Sequence, residues 1–122
     1  MIAVALLLAA ASSDPITGTW KGTSLCQVKP SPCHDEHVIY RLSLLQPRHY
    51  RIDAYKLVAS KEDFMGAIDV ALDAGGTELE GPVTSGGQVR GKLQLTLNGA
   101  QLSGRMNLAD GTLFRLIEVT KE

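Results

Sequence analysis

Gln88-Val89-Arg90-Gly91-Lys92-Leu93-Gln94-Leu95-Thr96-Leu97 sorts its residues by parity. Val89, Gly91, Leu93, Leu95 and Leu97 fall on one side, and Gln88, Arg90, Lys92, Gln94 and Thr96 on the other. A period of two belongs to an extended strand with one buried face. After Asn98-Gly99 the pattern restarts, with Leu102, Gly104, Met106 and Leu108 against Gln101, Ser103, Arg105 and Asn107. Asn-Gly between two alternating runs is a strong local sign of a β-hairpin.

The same reading extends outward. Val38, Tyr40, Leu42 and Leu44 oppose His37, Arg41 and Ser43, and residues 16–26, 50–59, 62–73, 77–84 and 112–121 complete about eight strands. Gln46-Pro47, Ala74-Gly75-Gly76, Ser85-Gly86-Gly87 and Asp110-Gly111 supply further turns. Connections this short join antiparallel neighbours, so the topology is a meander. Gly18, Gly22, Gly66, Gly91 and Gly104 fall mid-strand on the inward side, where glycine permits the coiling that closes a small barrel. The expected fold is all-β: an antiparallel up-and-down barrel of about eight strands. A β-sandwich is the alternative, but tight hairpins throughout favour closure over Greek-key crossings.

Ile16-Thr17-Gly18-Thr19-Trp20 opens the series with the only tryptophan of the chain. A Gly-x-Trp on the first strand lets one indole plug a barrel end while the glycine admits the neighbouring backbone. This opening resembles the first strand of avidin-type proteins, and Gly18-x-Trp20 resembles the lipocalin motif of the calycin superfamily. The resemblance implies a lipocalin-like barrel in which a basic residue, Arg115 within Thr112-Leu113-Phe114-Arg115-Leu116 or a neighbouring basic side chain, crosses the last strand and stacks over Trp20. Biotin sites of the avidin type use several tryptophans, so biotin binding is not implied. Exported bacterial metalloprotease inhibitors of similar size are also similar, with a Gly-x-Trp strand and one disulfide.

Residues 1–11 hold the apolar run Ile2-Ala3-Val4-Ala5-Leu6-Leu7-Leu8 and end on small residues, the pattern of a signal peptide. The run is shorter than the roughly 20 residues a membrane-spanning helix needs. Residues 12–122 then form one domain, exported to the periplasm or secreted. Cys26 and Cys33 are the only cysteines, and in an exported chain they are expected to form one disulfide across a proline-bearing loop. Twelve basic and thirteen acidic residues are evenly spread and offer nucleic acid no basic stripe.

Cys33-His34-Asp35-Glu36-His37 gathers two imidazoles and two carboxylates. In an extended segment they divide between two faces, whereas zinc needs three or four converging ligands, so no metal is expected. The expected role is local: Asp35 or Glu36 accepts hydrogen bonds from loop backbone and orders the entry to the second strand. There is no Gly-x-Ser-x-Gly elbow, no free thiol and no phosphate-cradling loop, so neither catalysis nor a cofactor is expected.

The inward set is mainly apolar: Trp20, Val38, Tyr40, Leu42, Tyr50, Ile52, Ala54, Phe64, Ile68, Val70, Leu93, Leu95, Leu102 and Met106. Lys56 is the exception, because alternation from Tyr50 places its amine inside. Either a bulge between Tyr55 and Lys56 returns it to solvent, or it meets an anionic head group near the rim. The function expected is binding of a small apolar or amphiphilic ligand, with Trp20, Tyr40, Tyr50, Lys56 and Arg115 as the candidate site. The alternative is a protein–protein module, such as an inhibitor of a secreted hydrolase.

Overall fold

The structure, a computed structural model, describes residues 14–28 and 32–122. The proposed signal peptide, residues 1–11, lies outside the described residues. Eight strands follow one another: β1 (Gly18–Cys26), β2 (Glu36–Gln46), β3 (His49–Val58), β4 (Lys61–Leu72), β5 (Glu78–Ser85), β6 (Gln88–Asn98), β7 (Gln101–Leu108) and β8 (Leu113–Lys121). Each pairs antiparallel with the next, and β8 returns to β1 from Trp20–Lys121 to Cys26–Arg115, so the sheet is a closed barrel. The expected fold is the observed one.

Closure depends on the glycines. At Gly22, Gly91 and Gly104 a Cβ would strike the carbonyls of Glu118, Asn107 and Gln94 respectively, so only glycine lets these backbones cross so closely. Gly81, absent from the expected set, plays the same part against the Asp69 carbonyl. Most connections are the turns anticipated. The β3–β4 turn has no glycine, and Ala59 and Ser60 themselves adopt positive φ (51° and 67°).

The interior is filled by Ile16, Trp20, Val38, Tyr40, Leu42, Tyr50, Ile52, Ala54, Ile68, Val70, Leu79, Leu93, Leu95, Leu102, Ile117 and Val119, with Met106 partly buried against them. Phe64 was expected inside and is instead 56% exposed. The cause is a bulge in β4: Ala54 opposes Gly66 while Tyr55 opposes Phe64, which leaves Met65 as the extra residue and reverses the parity beyond it. Phe64 therefore packs on the outer face against the Tyr55 ring (centroids 5.3 Å), and Arg41 covers Tyr55 while forming a paired contact with Glu62 (2.7 and 3.1 Å).

Elsewhere the outer face carries the ion pairs Lys21–Glu122, Arg51–Asp69 and Lys92–Glu80. Such pairs each contribute little to stability.

Candidate functional site

The two barrel ends are built differently. At the first end, residues 14–17 fold across the opening. The Asp14 carboxylate accepts hydrogen bonds from Ile16 N–H (2.8 Å), Thr17 N–H (3.2 Å), Thr17 Oγ1 (3.1 Å) and Tyr50 Oη (3.1 Å). Burial alone would raise its pKa, but these donors outweigh burial and hold the carboxyl below the usual range. Burial, with the Asp14 charge beside it, pushes the Tyr50 phenol up. Trp20 is fully buried and its indole N–H donates to the Ile16 carbonyl (2.9 Å). Trp20 thus plugs this end, as expected.

A basic side chain covers the indole as expected, but it is Lys121 and not Arg115. Lys121 Nζ lies 5.8 Å from the Trp20 ring and donates to the Pro15 carbonyl (2.9 Å), whereas Arg115 stands at the opposite end. Register decides this: Trp20 pairs with Lys121, and Arg115 pairs with Cys26.

At the second end the interior stays open. A cavity of about 230 Å³ is lined by Ser24, Glu36, Tyr40 and Arg115 on one side and by Met65, Gly66, Ala67, Ile68, Val83 and Thr84 on another, with Ala54 and Met106 between. Arg115 is mostly buried (12% exposed), and its Nη1 donates to the Ser24 carbonyl (3.2 Å), Ser24 Oγ (3.2 Å) and the His34 carbonyl (3.1 Å). Glu36 lies 3.5 Å from Arg115 Nη1 and 3.8 Å from Lys56 Nζ. Lys56 pairs with inward Val38, so alternation in β3 persists and the bulge sits across the ladder in β4. Of the two placements open for Lys56, it takes the inward one at the rim, facing a carboxylate.

Tyr40 separates this cavity from the packed half. The residue is 3% exposed, and its hydroxyl faces the cavity and hydrogen-bonds to none of the described residues. Desolvation drives its pKa strongly upward, opposed by Arg115 and assisted by Glu36, so the phenol remains a protonated donor.

The rim is fixed covalently. Cys26 and Cys33 form the expected disulfide (S–S 2.04 Å, Cα–Cα 5.9 Å), a bond that suggests an oxidising, extracellular-type environment. Asp35 Oδ1 accepts from Cys26 N–H (2.8 Å), the local role expected of the acidic pair, while Glu36 turns into the cavity. No group of three or more His, Cys, Asp or Glu able to hold a metal occurs among the described residues.

Of the five candidate residues, Tyr40 and Arg115 line the cavity and Lys56 stands beside it through Glu36. Trp20 and Tyr50 belong to the closed end. Glu36 and Ser24 were not singled out as ligand contacts, although the inward parity of Val38 and Tyr40 extends directly to Glu36. No family model matches this chain, and no curated protein matches it. The barrel is compatible with a calycin-like fold.

Proposed function

We propose that this protein is an exported binding protein that holds a small apolar or amphiphilic molecule in the open half of its barrel, in the manner of the lipocalin and avidin-like proteins it resembles. The observation that carries this reading is the cavity at that end: an apolar wall of Tyr40, Ala54, Ile68, Val83 and Met106 with Ser24, Glu36 and Arg115 grouped at one side. A concave apolar surface with a few convergent polar groups is the usual form of a small-molecule site. The apolar leader sequence and the disulfide support a periplasmic or secreted location.

A second reading has its own support. Leu57, Val58, Phe64, Met65 and Val89 are all more than 40% exposed and stand on strands near the open end. Exposed apolar surface of this kind also marks protein contacts. Uptake of an anilinonaphthalene sulfonate dye, displaced by added fatty acid, tests the first reading. Stoichiometric displacement is expected; absence of dye uptake, with a partner protein co-purifying in native mass spectrometry, would replace it with the second.

A further inference from the structure

Among the described strands, every neighbouring pair but one is laddered along most of its length. β4 and β5 pair only through Ala71–Glu80 and Leu72–Leu79, next to a bond from Asp73 N–H to the Glu78 carbonyl (2.9 Å). Beyond Gly81 the two strands part, and where they part both line the cavity: Met65, Gly66, Ala67 and Ile68 from one, Val83 and Thr84 from the other.

The sequence holds this seam open from both sides. In an antiparallel strand the N–H and C=O of one residue point to the same neighbour, and successive residues alternate. The Thr77 carbonyl accepts from Leu97, next to β6, and the Glu78 carbonyl accepts from Asp73, next to β4. Glu78, Glu80 and Pro82 therefore aim their backbones at β4. The donor needed to extend the ladder beyond Glu80 falls on Pro82, which has no N–H. Across the gap, Met65 is the extra residue of the bulge that β4 makes against β3, and a bulge bends its strand. At Gly66, which lines the cavity beside the gap, a Cβ would meet nothing within 4 Å, so the cavity is open at that point.

Opposite the gap, the cavity offers donors without acceptors. The Tyr40 hydroxyl has no partner, and although Arg115 Nη1 is fully engaged, its Nη2 donates to no described residue. Arg115, Lys56 and Glu36 together carry one net positive charge, and Asp63, opposite Lys56 in the β3–β4 ladder, lies at the exposed rim. A ligand head that accepts hydrogen bonds and carries one negative charge completes it. At about 230 Å³ the cavity is smaller than the roughly 300–1,000 Å³ that engulfs a drug-sized ligand, so a long chain must continue outside.

We infer that the ligand is a single-chain amphiphile with a carboxylate head, which accepts from Tyr40 Oη and Arg115 while its chain leaves the barrel sideways through the β4–β5 slot over Met65, Gly66 and Val83. This deepens the binding proposal above and rests on it. The test uses the whole protein with hexadecanoate bearing a diazirine at its far end, photolysed and mapped by peptide mass spectrometry, beside calorimetry of hexadecanoate and hexadecanol on the native chain and on Tyr40→Phe.

Adducts on Met65, Ala67, Val83 and their neighbours are expected. Hexadecanoate should bind at least tenfold more tightly than hexadecanol, and Tyr40→Phe should weaken hexadecanoate severalfold and hexadecanol by less, because a charged acceptor makes the stronger hydrogen bond. Adducts confined to Leu93, Leu95 or Leu102 would overturn the sideways passage and leave binding intact. Equal affinity for acid and alcohol on both proteins would overturn the carboxylate assignment alone. No saturable binding of either compound overturns this inference together with the proposal beneath it.

Discussion

Tyr40 and Tyr50 are both buried tyrosines that face the barrel interior from neighbouring strands, and they are used in opposite ways. The Tyr50 hydroxyl donates to Asp14 and helps fasten residues 14–17 over the closed end. The Tyr40 hydroxyl stops at the edge of the cavity and donates to nothing described. A hydroxyl that opens on an accessible cavity is left to water or a ligand and holds no part of the fold together. The closed half thus spends its polar groups on holding the fold, whereas the open half keeps donors available for a ligand. Changes at the closed end should reduce stability and spare binding; changes among the cavity residues should do the reverse.

Trp20→Ala should sharpen that comparison most. It removes the plug and leaves a cavity among Ile16, Lys121 and the surrounding core, at a cost of ~3 to 5 kcal/mol measured by urea unfolding. Replacing Cys26 and Cys33 together with serine should come next, at ~2 to 3 kcal/mol in the chain-entropy account of a short ring. Far-UV circular dichroism should stay β-type, because the bridge lies at the rim. A loss of the β spectrum would show that the open end also sustains the barrel.

Asp14→Ala should cost ~1 to 2 kcal/mol, since four donors lose their acceptor. The pH dependence has a definite sign. The folded carboxyl lies below its unfolded value of roughly 3.9, so its stabilisation is fully present above about pH 4 and disappears as pH falls through the folded value. Acid titration of the native protein and of Asp14→Ala should therefore run parallel near neutrality and draw together below about pH 4, the native protein losing more. Parallel curves over that range would contradict the role given to Asp14.

The smallest effects are the most discriminating. Tyr50→Phe should destabilise by ~1 kcal/mol, and Tyr40→Phe by less than ~0.5 kcal/mol or not at all, because the second change deletes a hydroxyl that had no partner. Lys56→Met keeps the stem and should also stay within ~0.5 kcal/mol, while lowering affinity for acidic amphiphiles. Equal destabilisation by the two tyrosine changes would break the comparison.

What the sequence disclosed follows from the range of each signal. Strands such as β6 and β7 were legible because parity is local, and the turns because Asn98-Gly99 and Ser85-Gly86-Gly87 carry their own conformational preference. Trp20 and the disulfide were legible for similar reasons. Phe64 was misplaced because one extra residue at Met65 inverts parity, and that bulge is defined only by the partner strand. Arg115 was given the place of Lys121 because the register between β1 and β8, at opposite ends of the chain, is not written in either strand alone. Tyr40 was correctly placed inside, but its lack of a partner depends on what faces it from β1 and β8. Pro82 did carry a readable signal, since proline within a strand belongs where a ladder stops.

The most direct test of the division between the halves is an amide chemical-shift map of the uniformly labelled protein titrated with dodecanoate. Shifts should cluster at Ser24, Glu36, Tyr40, Ala54, Gly66, Ile68, Val83, Met106 and Arg115, while Ile16, Trp20, Leu79, Leu102 and Val119 stay in place. Shifts centred on the second group, or none at saturating dodecanoate, would contradict the assignment of the open half as the binding site.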